Sequence, residues 1–149
     1  MSEYIDTSVV VKWFRGGEDH RDESLKLRER IINFDTEFIM SLYGVMELVR
    51  ALVKNKYPKD KIEDSFQSMM ELYKIDALKS VGIEEILYRA KDIAIELNLY
   101  AGDALHLASA IQYGCKIFWS EDKHHLKAST KKFMERYKVE IKSLAQVKI

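Results

Sequence analysis

Short apolar segments alternate with longer amphipathic ones along this chain, and the alternation limits the folds that are open to it. The short segments have the length and composition of β-strands, and they lie at residues 3–6, 38–40, 74–81, 116–120 and 139–141. Every interval between them is long enough for a crossover helix that returns the chain to a parallel neighbour. The pattern therefore predicts an α/β fold with a mostly parallel central sheet.

Apolar residues recur at helical spacing within these intervals. Two stripes are expected to face the core: Leu42, Val45, Met46, Val49, Leu52 and Val53, and then Ile86, Leu87, Ala90, Ile93 and Ala94. Their helices are predicted over residues 42–55 and 83–97, the first with Ser41 as its N-cap. Thr7 or Ser8 is expected to cap a first helix that runs to Phe14. Further helices are predicted at about 19–33, 58–73, 102–113 and 126–137.

Length and composition favour one ordinary globular domain, predicted to span residues 1–149. The formal net charge of zero argues against a protein that coats nucleic acid by electrostatics alone. No apolar run reaches the roughly 18–20 residues that cross a bilayer, so we expect no membrane contact. The single cysteine, Cys115, cannot form an internal disulfide and is interpreted as a small core residue. The amino terminus lacks a signal-peptide pattern, and a cytoplasmic protein is expected.

Four carboxylates occupy comparable places in the predicted fold. Asp6 and Asp122 directly follow strands, Glu47 lies about two turns into the helix after the second strand, and Asp103 opens the helix before the fourth strand. If they converged, each pair would repel by about 4 kcal/mol at ~4 Å and an effective dielectric of ~20. A divalent cation with oxygen ligands, Mg²⁺ or Mn²⁺, would relieve that repulsion. Such a site suits phosphodiester hydrolysis.

Each of these acids also has a purely structural interpretation. Asp6 and Asp122 could be turn residues, and Asp103 is favourable at any helix start because of the helix dipole. Glu47 could pair with Arg50 on the surface of its own helix. Spacing over a hundred residues does not decide between these interpretations and a shared site.

Four segments of the chain resemble the PIN domain, the nuclease fold of VapC-type toxins in toxin–antitoxin pairs. They are YIDTSVVVKWF, SLYGVMELVRAL, GDALHLASAIQYG and IFWSEDK, and the resemblance extends over essentially the whole chain, from Tyr4 to the last strand. The resemblance implies a three-layer α/β/α sandwich and a Mg²⁺- or Mn²⁺-dependent ribonuclease. It also implies that the catalytic and metal-binding residues are Asp6, Glu47, Asp103 and Asp122.

Two features depart from the family pattern. The fourth motif, usually Thr-x-Asp, reads Ser120-Glu121-Asp122, and Ser120 keeps the hydroxyl that orients a ligand or water. Thr7 is the other expected supporting residue, and Glu121 is a weaker candidate for a fifth carboxylate. His124-His125 stands where the family more often has an acid or an aromatic residue, and both histidines are expected to be exposed in a loop. His106 is expected to be a packed histidine rather than a metal ligand.

The resemblance also implies partners: an RNA substrate, a small antitoxin protein and a second copy of the chain. Basic residues near the expected site are candidate RNA contacts, namely Lys12, Arg15, Arg50 and Lys123. Trp13 and Phe14 could stack on a base, although a place in the core or in a dimer surface is favoured. Apolar residues on the early helices could form the groove for the antitoxin.

The predicted function is a metal-dependent ribonuclease that acts as the toxin of a two-gene module. One alternative is an RNA-processing or decay nuclease with the same site and no antitoxin. The other is a non-catalytic PIN scaffold that only binds RNA or protein, which the retention of all four acids disfavours.

Overall fold

A computed structural model describes residues 1–149 of the chain. Five strands form one sheet in the order β3-β2-β1-β4-β5, and every neighbouring pair is parallel. The strands are β1 (Ser2–Ile5), β2 (Glu37–Ile39), β3 (Leu78–Lys79), β4 (Ile117–Trp119) and β5 (Glu140–Lys142). The predicted α/β fold with a parallel central sheet is confirmed.

Eight α-helices and one short 3₁₀-helix surround the sheet. They are α1 (Thr7–Phe14), α2 (Arg21–Ile32), α3 (Leu42–Lys54), α4 (Lys59–Lys74), α5 (Ile83–Leu97), α6 (Ala101–Tyr113), α7 (Lys123–Leu126) and α8 (Ala128–Glu135), with the 3₁₀-helix at Leu144–Gln146. The helix predicted at 126–137 corresponds to the shorter α8, and the separate α7 precedes it because Lys127 adopts an extended conformation between the two. None of the helices combines the length and apolar character needed to cross a membrane.

The sheet has a buried core on each face, which gives the three layers. Successive side chains of a strand point to opposite faces. On β1, Tyr4 packs in one cluster with residues of α5, α6 and α8, whereas Ile5 packs in the other cluster with residues of α1 to α4. Phe118 and Trp119 divide in the same way on β4. The expected α/β/α sandwich is therefore present.

The buried face of α3 differs from the predicted stripe. Leu48 and Leu52 are fully buried, whereas Leu42, Met46 and Val53 are 46%, 60% and 48% exposed. The helix packs on α1, α4 and α6 with the face that carries Gly44, Val45 and Leu48. The side chains of Leu42 and Met46 are thus left on an exposed apolar surface, and Leu87 of α5 is likewise exposed rather than in the core.

A buried carboxylate lies in the central strand at the end remote from the candidate site. Glu3 has a fully buried side chain, and the Arg30 guanidinium donates to it, with Nη1 3.1 Å from Oε1. Trp119 Nε1 donates to the same oxygen at 2.7 Å. Because removal of one partner leaves an uncompensated buried charge, this pair ties α2 to the sheet.

Candidate active site at the switch between β1 and β4

The order of the strands opens a crevice at one edge of the sheet. From β1 the chain proceeds to β2 and β3 on one side, and then returns to place β4 and β5 on the other side. Ligands of open α/β sheets bind at such a switch point, outside the carboxyl ends of the strands. Asp6 follows β1 there, and its backbone N–H donates to the Trp119 carbonyl at 3.0 Å. Asp122 follows β4 at the same edge.

Asp6 is buried and is also the N-cap of α1. Its Oδ2 accepts the Ser8 backbone N–H at 3.1 Å and the Ser8 hydroxyl at 2.6 Å. The prediction that Thr7 or Ser8 caps this helix is therefore wrong, because Thr7 is already its first helical residue. Capping fixes the Asp6 carboxylate at the mouth of the crevice.

The loop after β4 is organised by the buried Ser120 hydroxyl. The Asp122 backbone N–H donates to Ser120 Oγ at 3.0 Å, and Ser120 Oγ lies 3.4 Å from Asp6 Oδ2. Ser8 Oγ reinforces the loop by accepting the Glu121 backbone N–H at 2.9 Å. Glu121 itself turns away, since its carboxylate accepts the Leu144 backbone N–H at 3.0 Å, so it is not a fifth carboxylate of the site.

Glu47 reaches the site from the second turn of α3. Its Oε1 accepts the Thr7 hydroxyl at 2.9 Å and lies 2.5 Å from His106 Nε2. It is not paired with Arg50, which was the surface alternative. The other oxygen, Oε2, approaches α6 so closely that a Cβ on Gly102 would lie 2.6 Å from it.

Asp103, in the first turn of α6, and Asp122, the N-cap of α7, lie close together with the imidazole of His124. One carboxylate oxygen of each and one ring nitrogen of His124 lie within 4.8 Å of one another. Two hydrogen bonds fix the backbone of His124. Its N–H donates to Asp122 Oδ1 at 2.7 Å, and its carbonyl accepts from the Thr130 hydroxyl. The edge of the Tyr100 ring packs against the His124 ring.

The expectation of two exposed loop histidines is wrong, because both lie in α7, where His125 is fully buried and His124 is half-buried. His125 Nε2 donates to the Asp103 backbone carbonyl at 3.2 Å, and its Nδ1 lies 2.9 Å from Ser120 Oγ. The same two nitrogens lie 3.8 Å from carboxylate oxygens of Asp103 and Asp6. His125 therefore bridges the two chain segments that carry these acids.

His106 is also buried, as expected, but it packs among acids rather than among apolar side chains alone. Its Nε2 lies 3.4 Å from Asp6 Oδ1 as well as against Glu47, and its Nδ1 is 2.6 Å from the Tyr4 hydroxyl. Burial lowers the pKa of His106, but the charges of Asp6 and Glu47 outweigh it, so the pKa lies above its ordinary value. The carboxylates hence form a continuous array, Glu47–His106–Asp6–His125–Asp103.

Asp6, in the middle of this array, and Asp103, at one end of it, differ in their pKa shifts. Burial raises the pKa of Asp6, but the charges of His106 and His125 and the Ser8 hydrogen bonds outweigh that effect, and the pKa is lowered. For Asp103, burial and then the charge of Asp122 raise the pKa above its ordinary value of 3.8. The uncompensated negative charge of the crevice is thus concentrated near Asp103 and Asp122.

The candidate RNA contacts fall into two pairs. Arg50 and Lys123 are exposed and form no ion pair. Lys12 donates to the Asp19 carbonyl, and Arg15 pairs with Glu18 at 3.1 Å, so both are already engaged. Trp13 is buried and its Nε1 donates to the Ser24 carbonyl, which makes it a core residue, as favoured, and not a stacking platform for a base.

Sequence reasoning missed the histidines and Ser8 as parts of this site. A usable signal existed for His106, because a residue three positions after Asp103 shares its helix face. Ser8 stands two positions after Asp6, the spacing of an Asx turn. The loop position of His125 offered no such signal, since its burial depends on α6 and on Ser120.

Comparison with known proteins identifies the class. The PIN domain family matches residues 4–131, and the chain belongs to this family. No curated protein matches it significantly.

Three solved structures share the fold at low identity. FitAB bound to the IR36 DNA fragment is 15% identical with a TM-score of 0.67, covering 99% of this chain and 98% of that one. VapC20 of Mycobacterium tuberculosis, described as a sarcin-ricin loop cleaving toxin, is 13% identical with a TM-score of 0.63, covering 81% and 90%. VapBC2 of Rickettsia felis, bound to a promoter DNA fragment, is 15% identical with a TM-score of 0.59, covering 96% and 98%.

Proposed function

We propose that this PIN-domain protein is a metal-dependent ribonuclease and the toxin of a toxin–antitoxin pair, folded as one domain and acting in the cytoplasm. The observation that carries the proposal is the array of four acids at the switch point of the sheet. The half-buried Ser8 and the buried His106 and His125 lie against the carboxylates of Asp6, Glu47 and Asp103. The similarity in fold to VapC20, described as a sarcin-ricin loop cleaving toxin, supports the assignment.

The donor set fits a divalent cation. Asp103 and Asp122 could supply hard oxygen ligands that suit Mg²⁺ and Mn²⁺, and His124, in the same 4.8 Å group, could add a nitrogen that suits Mn²⁺ better. Asp6 lies outside that group and would add a further carboxylate from the end of β1. Burial and then the charge of Asp122 raise the pKa of Asp103, and a bound cation would neutralise part of the negative charge of this pair. When bound, the cation would supply Lewis-acid activation of water and offset charge on the phosphate.

The chain's own residues would orient the reactants. Glu47 is the acid best placed to hold the attacking water, because Thr7 and His106 occupy Oε1 and leave Oε2 free of side-chain donors. Ser120 fixes the loop that carries Asp122 through that residue's backbone N–H. Because the net charge is zero, phosphate recognition would depend on local bases, with Arg50 and Lys123 the two that are unpaired.

The apolar α3/α5 face is the proposed surface for partner chains, either a second copy or the antitoxin. We define it by Leu42, Tyr43, Met46, Ile83 and Leu87, all of them exposed. Leu42, Tyr43 and Ile83 line one groove. Exposed apolar surface of this kind commonly marks a protein interface. A Met46→Glu variant that stays monomeric in light scattering, beside a dimeric wild type, would support the homodimer.

Cleavage of a labelled structured RNA tests the enzymatic proposal. We expect the wild type to cleave in Mg²⁺ or Mn²⁺ and to stop in EDTA. Asp6→Asn and Asp103→Asn should each lower the cleavage rate by more than roughly 10–100-fold, which is the loss expected for a residue that only hydrogen-bonds a metal ligand. Asparagine retains the capping geometry of Asp6, and Asp64→Asn on the exposed side of α4 is the matched control.

Undiminished cleavage by both folded variants would refute the mechanism. Absence of cleavage by the wild type, together with no calorimetric binding of Mg²⁺ or Mn²⁺, would favour the non-catalytic scaffold. A nuclease without a neighbouring antitoxin gene would favour the processing or decay enzyme.

A further inference from the structure

His106 is the fully buried side chain that links the two acids on the α3 side of the site, Glu47 and Asp6. It lies on α6, with Nε2 2.5 Å from Glu47 Oε1 and 3.4 Å from Asp6 Oδ1. Its other nitrogen lies 2.6 Å from the Tyr4 hydroxyl. The proposed cation site uses other residues, so the burial of an imidazole here requires a separate explanation.

The hydrogen-bond partners determine which way the ring donates. An ionised carboxylate can only accept a hydrogen bond, so His106 Nε2 carries a hydrogen and donates a hydrogen bond to Glu47. The Tyr4 oxygen already accepts the Ser41 backbone N–H at 2.9 Å. In the neutral ring, the Tyr4 hydroxyl donates to Nδ1, and every group in the series Ser41, Tyr4, His106 and Glu47 is satisfied. In the protonated ring, Nε2 still donates to Glu47.

Both donors to Glu47 act on the same oxygen. The Thr7 hydroxyl and His106 Nε2 bind Oε1, and Oε2 is left facing α6. Two glycines provide the space for this arrangement. A Cβ on Gly44 would lie 2.7 Å from Thr7 Oγ1 and 3.0 Å from His106 Cε1, and a Cβ on Gly102 would lie 2.6 Å from Glu47 Oε2.

We propose that His106 is a positioning residue that fixes the Glu47 carboxylate, with Oε1 held and Oε2 presented to the cation and its water. The proposal rests on the proposed nuclease function. His106 touches neither substrate nor cation. Its effect passes through Glu47, and Tyr4 sets the orientation of the ring.

Two amide variants of His106 separate this role from mere packing. The amide nitrogen of glutamine can occupy the place of Nε2, whereas that of asparagine reaches only the place of Nδ1. We therefore expect His106→Asn to lower kcat and Mn²⁺ affinity by about 10-fold or more, the size of one hydrogen bond to a charged group. The KM for RNA should not change. His106→Gln should recover most of the loss, and thermal unfolding establishes that both variants fold.

A double-mutant cycle with Glu47→Gln tests whether His106 acts through Glu47. If it does, His106→Asn costs nothing further in the Glu47→Gln background. An additive loss there, or equal behaviour of the asparagine and glutamine variants, overturns the proposal. If the wild type cleaves no better than Asp103→Asn, the nuclease proposal fails instead. The role of His106 is then judged on Mn²⁺ affinity measured by calorimetry, where equal affinities of wild type and His106→Asn overturn it.

Discussion

Asp122→Asn should stabilise the protein without divalent cations and remove the stabilisation that they confer. Carboxylate oxygens of Asp103 and Asp122 lie within 4.8 Å of each other, and no cationic side chain of Lys or Arg pairs with either. Asparagine keeps an oxygen that can accept the His124 N–H, so the cap of α7 survives. The substitution removes one charge and changes little else.

The magnitude follows from the separation and the exposure of the two acids. Two unit charges 4.8 Å apart repel by about 0.9 kcal/mol at a dielectric of ~80 and by about 3.5 kcal/mol at ~20. The side chain of Asp103 is 12% exposed, but Asp122 is half-buried, and solvent screens part of the repulsion. We expect a gain of about 1 kcal/mol in the free energy of unfolding.

The gain should depend on pH in a defined direction. Burial and then Asp122 raise the pKa of Asp103 above 3.8, so the folded carboxyl binds its proton more tightly than the unfolded one. Stability contributed by this group therefore falls as pH rises from 3.8 through the raised pKa. The free energies of unfolding of the wild type and Asp122→Asn should differ most at neutral pH and should converge below pH 3.8, where Asp103 is protonated in both states.

Thermal unfolding in EDTA and in Mn²⁺ measures both effects. In EDTA at neutral pH the variant should melt about 2–4 °C above the wild type. At an Mn²⁺ concentration 100 times the Kd, the wild type should gain about 2.7 kcal/mol and overtake it. Asp64→Asn should respond to Mn²⁺ as the wild type does. A variant less stable than the wild type in EDTA, or one with the same response to Mn²⁺, would refute the reasoning.

Three further predictions concern the site and the core. Mn²⁺ affinity should fall about tenfold per pH unit below the raised pKa of Asp103, because cation and proton compete; calorimetry that finds constant affinity down to 3.8 would contradict this. Arg30→Ala should lower the free energy of unfolding by about 3–5 kcal/mol in urea, since Glu3 is left buried without its cation; a loss below about 1 kcal/mol would count against the pairing. Arg50→Ala and Lys123→Ala should each raise the KM for RNA and reduce the salt slope by about 0.7; unchanged slopes would exclude phosphate contact.

The elements with strong local patterns could be predicted from the chain alone. The helix predicted at 83–97 is α5, and Ser41 caps α3 through its hydroxyl. The parallel pairing of all neighbouring strands follows from the lengths of the connections between them. These features succeed because periodicity, capping and crossover length are properties of short segments.

The errors occur where a distant segment decides burial. The apolar residues of α3 were recognised, but the inward face is set by α1, α4 and α6, which cover Leu48 and Leu52 and leave Met46 exposed. His125 follows a polar loop and has no local pattern, yet Asp103 and Ser120 enclose it.

The α/β class and the residue types of the site could be inferred from the chain, because strand ends, helix starts and acids are all local features. The joining of the acids by buried histidines depends on the folded arrangement of distant elements. His106 acquires its partners from β1 and α3, and His125 acquires one from α6, and these elements meet only when the sheet forms around its switch point. Contacts between residues 22 to 102 positions apart leave no periodic trace in the chain, and the electrostatics of the crevice depend on those contacts.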